Sequence, residues 1–341
     1  MSTVNLSPAE MGDRDGHVGS EYGQSRRERL AGVAQRRGSL VVLVVLVLVA
    51  SFVYPFFPTV ANAQSIAVQS SFLAVVALGM TFVILTGGID LSVGSVYALG
   101  GVVAAWASQY GTVAALVAPL VVCGLIGLLN GLLVEKAGMP SFIVTLATLL
   151  FARGLLLFIT DSGQTTFKIS DGTAFLKMGQ ASLFGIGYPV YIAVGLFALG
   201  ALLLQRTAFG QTVLAMGSNE DASRLMGLPV SRVNVSIYVM SSLLAAFGGM
   251  MAAAQTSSGV TIVGVGLELT AISAVVIGGT LLTGGAGTTG GTLAGVALLG
   301  VIQNVINQIG NLDSSYQAVV NGAFLIVVVV AQTYLSRRQQ L

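Results

Sequence analysis

Chemistry in this chain starts with one carboxylate in an apolar setting. The stretch ILTGGIDLSVGS, residues 84–95, holds Asp90 just behind the glycine pair Gly87–Gly88. A charge among apolar residues is expected either to be functional or to satisfy backbone that has no water to bond. Two chemistries compete. As an ion or proton site, Asp90 would serve an ion-coupled secondary transporter or a channel. As a cap, it would accept N–H groups of a helix starting near Leu91, with Ser92 in its first turn, while Gly87 and Gly88 supply the φ freedom to reverse direction. Gly87, Gly88, Asp90, Ser92 and Gly94 would then form one structural hinge, and this second reading is adopted.

The other groups with chemical reach are few. Gln303 and Asn307 lie one helical turn apart, as do Asn304 and Gln308, so two amide stripes run along the segment ending QNVINQ. Neutral amides suit a pathway for a hydroxylated solute, because they bind without a deep charge well, and Asn130 is a lonelier case of the same kind. The same side chains can instead bond helix to helix, at about 0.6 kcal/mol per pair in a membrane. Arg153 lies mid-segment, where a carboxylate such as Asp90 is a partner to consider; Glu268 reads as an interfacial or helix-start residue. Catalysis is hard to assemble from what remains. The only histidine, His17, sits in a polar N-terminal stretch and the only cysteine, Cys123, in an apolar one, which leaves no triad, no paired metal ligands and no disulfide. None of Lys136, Lys168 and Lys177 follows a GxxxxG phosphate loop. The chain is expected to be no enzyme, to carry no cofactor or metal of its own, and to bind no nucleic acid.

The elements that must position these groups follow from composition. The 341 residues are 55% hydrophobic and 8% charged, with a mean hydropathy of +0.89, against about 25% charged in soluble domains. Residues 1–37 hold six arginines and five acids, whereas residues 38–336 hold seven basic and eight acidic side chains. This predicts a disordered cytoplasmic tail over 1–38, an all-α membrane domain over 39–336 and a cytoplasmic C-terminus at 337–341. Ten crossings are expected, at 39–57, 66–86, 94–109, 112–134, 141–160, 187–205, 232–255, 267–283, 289–309 and 315–335. Arginine placement agrees with an even count and both termini inside: Arg26, Arg27, Arg29, Arg36 and Arg37 precede the first crossing, Arg206, Arg224 and Arg232 fall in and beside one inner loop, and Arg337 and Arg338 follow the last.

That inner loop is about 25 residues long where a turn needs a handful. Ser218 and Asn219 are expected to cap a short helix from Glu220, with Glu220 and Asp221 in its first turn and Arg224 after them, stopped by Gly227 and Pro229. A capped helix at the membrane surface is a docking element. A second feature is an echo: LTGG occurs at 85–88 and again at 282–285, each after an inward-running and before an outward-running crossing.

Three strings in order, ILTGGIDLSVGS, RTAFGQTVLAMGSNEDASRLMG and AISAVVIGGTLLTGGAGTTGGTLAGVALLGVIQNVIN, resemble the permease subunits of ribose-type ABC sugar importers over roughly residues 66–335. Within that family, GGTLLTGG with GVGLEL looks most like the galactofuranose permeases. Ser218 stands where Gly is more usual, and Thr270 where an acid is commoner. The resemblance implies a bacterial inner-membrane protein that imports a monosaccharide and works beside a second, identical or related permease chain. Separate ATPase subunits would hold ATP and magnesium, and a periplasmic or lipid-anchored binding protein would deliver the sugar. It also implies that Gly217, Ser218, Asn219, Glu220, Asp221, Ala222 and Arg224 couple to the ATPase, and it fits Asn130, Gln303, Asn304 and Asn307 as pathway residues.

Overall fold

The computed structural model describes residues 26–170 and 172–309, with the isolated positions 316, 319, 322, 323, 326 and 330. Residues 1–25 of the expected tail, His17 among them, most of the expected tenth crossing and residues 337–341 lie outside this set. Ser39–Leu341 form one compact unit. The described helices are α1 (Arg26–Val53), α2 (Val60–Leu85), α3 (Val93–Ala107), α4 (Thr112–Lys136), α5 (Ser141–Ile159) and α6 (Ala174–Gln180), followed by α7 (Tyr188–Arg206), α8 (Ala208–Ser218), α9 (Glu220–Leu225), α10 (Val230–Thr256), α11 (Leu267–Ile277) and α12 (Thr289–Ile309). A two-stranded hairpin, β1 (Ser182–Leu183) and β2 (Ile186–Gly187), precedes α7.

Burial sorts these helices into a centre and a shell. Central α10 packs on α2, α3 and α4. Small residues let the backbones meet: a Cβ on Gly249 would overlap the Tyr97 carbonyl of α3, so only glycine permits that crossing. The shell is apolar on its outer side. Val113, Val117, Val121 and Leu125 recur every four residues along α4 and are exposed, as are Leu150, Phe151 and Phe158 on α5 and Val194, Leu199 and Leu202 on α7. Hydrophobic faces of this extent are stable only in lipid.

Six described helices, α2, α4, α5, α7, α10 and α12, are long and apolar enough to cross a membrane. Three of the expected crossings are shorter, the first of them because the apolar part of α1 is only Ser39–Val53. At 15 and 11 residues, α3 and α11 rise about 22 Å and 16 Å, against roughly 30 Å of hydrocarbon. Their inner faces are buried against protein, so the chain can break there without exposing backbone to lipid.

Contacts also fix which ends share a face. The turn after α2 touches the end of α8, and the start of α5 bonds the segment leading into α3. The loop holding α8 and α9, both LTGG turns and the start of α5 therefore lie on one side. The hairpin and the Trp106–Tyr110 ring pair, with centroids 5.5 Å apart, lie on the other.

Candidate functional site

The inner loop folds as two helices rather than one. Thr207 caps α8, its hydroxyl accepting from the Gly210 N–H at 3.2 Å. Asn219, extended at φ −162° and ψ 106°, ends α8 and caps α9, its side-chain oxygen accepting from the Ala222 N–H at 2.9 Å. Ser218, by contrast, is the last residue of α8, and its hydroxyl donates to the Leu214 carbonyl at 3.1 Å. Glu220 and Asp221 sit on the positive end of the α9 dipole. Arg224 reaches Glu220 at 2.7 Å and Glu135, at the end of α4, at 2.8 Å. Glu135 foremost, then Glu220, holds the Arg224 guanidinium above its usual pKa. Asn234 of α10 donates to the second Glu135 oxygen at 2.9 Å.

One face of α9 is spoken for, because Ser223 is buried against the bundle. The other presents Glu220, Asp221, Leu225 and Met226, with Leu225 89% exposed. Leu225 and Met226 thus form the apolar part of the exposed face of this capped, charged helix. Leu225 and Met226 were missed in the sequence, where two apolar residues in a short polar helix look like its inner face.

Gly217 is the link from this loop to the bundle. A Cβ there would overlap the Leu85 carbonyl and the Gly285 amide nitrogen. Leu85 opens the first LTGG and Gly285 closes the second, and the Gly285 N–H donates to the Leu85 carbonyl at 2.9 Å. The two echoed turns thus meet in space, and the end of α8 touches both, at Gly217 through backbone.

Behind the first turn lies the Asp90 hinge. Gly87 takes φ +78° in the reversal, and Gly88 leaves room for the Tyr238 hydroxyl, 2.7 Å from where a Cβ would stand. Asp90 is fully buried and accepts from the Ser92 N–H at 3.0 Å, from the Ser92 hydroxyl, and from the Ser241 hydroxyl of α10 at 2.8 Å. The helix begins at Val93, not near Leu91. Asp90 therefore closes an Asx turn ahead of it instead of capping its first turn. Asn130 is fully buried in the same network: its amide donates to Ser92 Oγ at 3.2 Å and its oxygen accepts from Thr148 at 2.6 Å. Four helices, α3, α4, α5 and α10, are tied together here by side chains.

Arg153 does not meet Asp90. Its guanidinium donates to the Thr261 carbonyl at 2.8 Å and the Val263 carbonyl at 3.2 Å, both in the segment between α10 and α11. That segment is re-entrant. Gly259 lies against Val102 near the far end of α3, whereas the Gly264 carbonyl and Glu268 crowd Gly94 at its start. The chain thus descends about 12 Å along α3 before α11 begins at Leu267. These carbonyls lie outside any helix, and the half-buried fork of Arg153 supplies donors that a helix would otherwise provide.

The amide stripe of α12 opens on a small recess between α2, α11 and α12. Gln69, Ser70, Thr270, Gln303 and Asn304 are its polar lining, around about 150 Å³. Asn304 is also half of a reciprocal amide pair with Asn62, at 2.7 and 3.1 Å, and accepts from Gln308 at 2.8 Å. It thus joins helices and lines the recess at once. Asn307 lies on α12 beyond that lining. Gln69, Ser70 and Thr270 were not singled out as pathway residues, because polar residues on separate helices converge only in three dimensions.

A family model described as branched-chain amino acid transport system / permease component matches residues 62–329. The chain belongs to this family. The permease is 37% identical over 304 residues to the ribose import permease protein of Haemophilus influenzae, covering 88% of this chain and 94% of that one. It is 38% identical over 309 residues to the ribose import permease protein of Bacillus subtilis, covering 90% and 95%. It is 37% identical over 307 residues to the L-arabinose ABC transporter permease protein of Azospirillum brasilense, covering 89% of each. No solved structure matches. These relatives are transport permeases, not enzymes, and the chain is a multi-pass membrane permease like them.

Proposed function

We propose that the chain is the translocating subunit of an ATP-driven importer of a monosaccharide, with α9 as the seat of a separate ATPase. The observation that carries this is the Gly217 contact. A surface helix made only to finish a loop has no need of a backbone-to-backbone junction with two helix breaks. Because Gly217 meets the Leu85 carbonyl without an intervening side chain, no rotamer can absorb a displacement of α8. Any push on α9 must move the turns that start α3 and precede α12, in keeping with the bistable behaviour of packed cores.

The face carrying α9 is then the cytoplasmic one. The ATPase, holding ATP and magnesium, sits on Glu220, Asp221, Leu225 and Met226. A second copy or a related chain completes the translocation path, and a binding protein presents the sugar on the opposite face. The recess around Gln69, Thr270, Gln303 and Asn304 offers neutral donors and acceptors, suited to hydroxyls. Relatives named for ribose and L-arabinose support a monosaccharide, while GGTLLTGG with GVGLEL favours galactofuranose among them. An ion-coupled reading that uses Asp90 has less to stand on, because that carboxylate already has three donors from its own chain.

The test is Glu220→Lys with Asp221→Lys in the intact importer. Membrane level should stay unchanged, while ATP-driven uptake and co-purification of the ATPase are lost together. Undiminished uptake would refute the docking assignment. Uptake of labelled galactofuranose, ribose and L-arabinose by the unaltered complex ranks the sugars.

A further inference from the structure

The hairpin before α7 contains a residue its own fold does not explain. Leu183 pairs with Ile186, so Phe184 and Gly185 are the two-residue loop, and both take positive φ, 51° and 80°. That geometry belongs to a type I′ turn, which calls for Asn, Asp or Gly at its first centre. A bulky aromatic at positive φ is a conformational outlier. Packing does not justify it either, since Phe184 is 91% exposed. Among the described residues, neither turn chemistry nor the core accounts for Phe184.

We propose that this hairpin is a bilayer anchor, with Phe184 inserted at the level of lipid headgroups and upper acyl chains on the face opposite α9. Depth is the first argument. Gly187 packs on Val68 and Gly185 lies beside Gln64, which are inside α2, one to two turns from its Val60 end. The hairpin therefore lies alongside the helix ends and does not project past them into water. Continuity is the second. The Tyr191 hydroxyl donates to the Leu183 carbonyl at 3.0 Å. Tyr188 and Tyr191 begin the exposed stripe that continues down α7 through Val194, Leu199 and Leu202, so the hairpin caps a lipid-facing surface where tyrosines commonly mark the interface. Charge is the third: residues 178–187, MGQASLFGIG, contain no ionisable side chain, which suits an acyl-chain boundary better than a soluble protein partner.

The chain has one tryptophan, Trp106, so Trp106→Phe with Phe184→Trp gives a single reporter at the hairpin tip. The full chain would be placed in phosphatidylcholine vesicles, with bromine near the headgroup or near the chain end. The tip should lose most of its emission to the shallow label, less to the deep one, and resist iodide in the water. Quenching by iodide with no loss to either bromolipid would overturn the proposal. So would an emission shift that appears only on adding the sugar-binding protein, which would assign the surface to a protein partner. Because position 184 is exposed among the described residues, emission reports location even if activity changes.

Discussion

The two LTGG turns share four letters and a contact, yet they are built on different principles. The first leads into a hinge held by side chains: Asp90, Ser92, Asn130, Thr148 and Ser241 form a directional network across four helices. The second lies between α11 and α12, a helix pair held by backbone proximity. A Cβ on Gly295 would overlap the Ala274 carbonyl, and one on Gly291 the Gly278 carbonyl. Hydrogen bonds between fixed partners resist reorientation, whereas a glycine-lined crossing has no knobs to unlock before it slides. On this contrast the first turn is expected to anchor and the second to move.

The sharpest way to break it is Asp90→Leu. Three buried donors would lose their acceptor at about 1–3 kcal/mol each, so the protein should melt far lower in detergent and its uptake should disappear; near-normal melting would remove the anchor. Gly295→Val comes next. Overpacking costs about 1–3 kcal/mol, but uptake should fall much further than melting does, because the crossing is blocked in one position; equal losses in both would make the second turn an anchor as well. Asp90→Asn keeps one acceptor and should cost about 1 kcal/mol, with uptake largely retained, whereas loss of uptake equal to that of the leucine variant would restore the charge itself as the working element. Smallest is Thr280→Val. Among the described residues, the Thr280 hydroxyl is buried and without a partner, so calorimetry should find the change neutral or stabilising by less than about 1 kcal/mol.

Much of this was legible in the chain, and what was hidden has a physical reason. Asn219 and Gly227 punctuate α9 because capping and positive φ are local requirements that residue type reveals. The shortness of α11 was not visible. Hydropathy over 267–283 records what the side chains are, and a buried re-entrant segment is as apolar as a crossing. Arg153 looked in need of a carboxylate such as Asp90, yet the one it meets electrostatically is Glu268, and its hydrogen bonds go to carbonyls that only a broken helix leaves open. The LTGG echo was readable as a repeat, but its meaning is a contact between positions 85 and 285, and nothing local encodes that.

The α9 helix hangs from two tethers of unlike material. At Gly217 the link is main chain pressed on main chain; at Arg224 it is an ion pair, with the arginine side chain 43% exposed. Salt distinguishes them. At 1 M ionic strength the screening length shrinks to about 3 Å, which slackens the arginine tether and leaves the glycine one as tight as before. A concentrated buffer should therefore loosen the arginine end of α9 more than its glycine end.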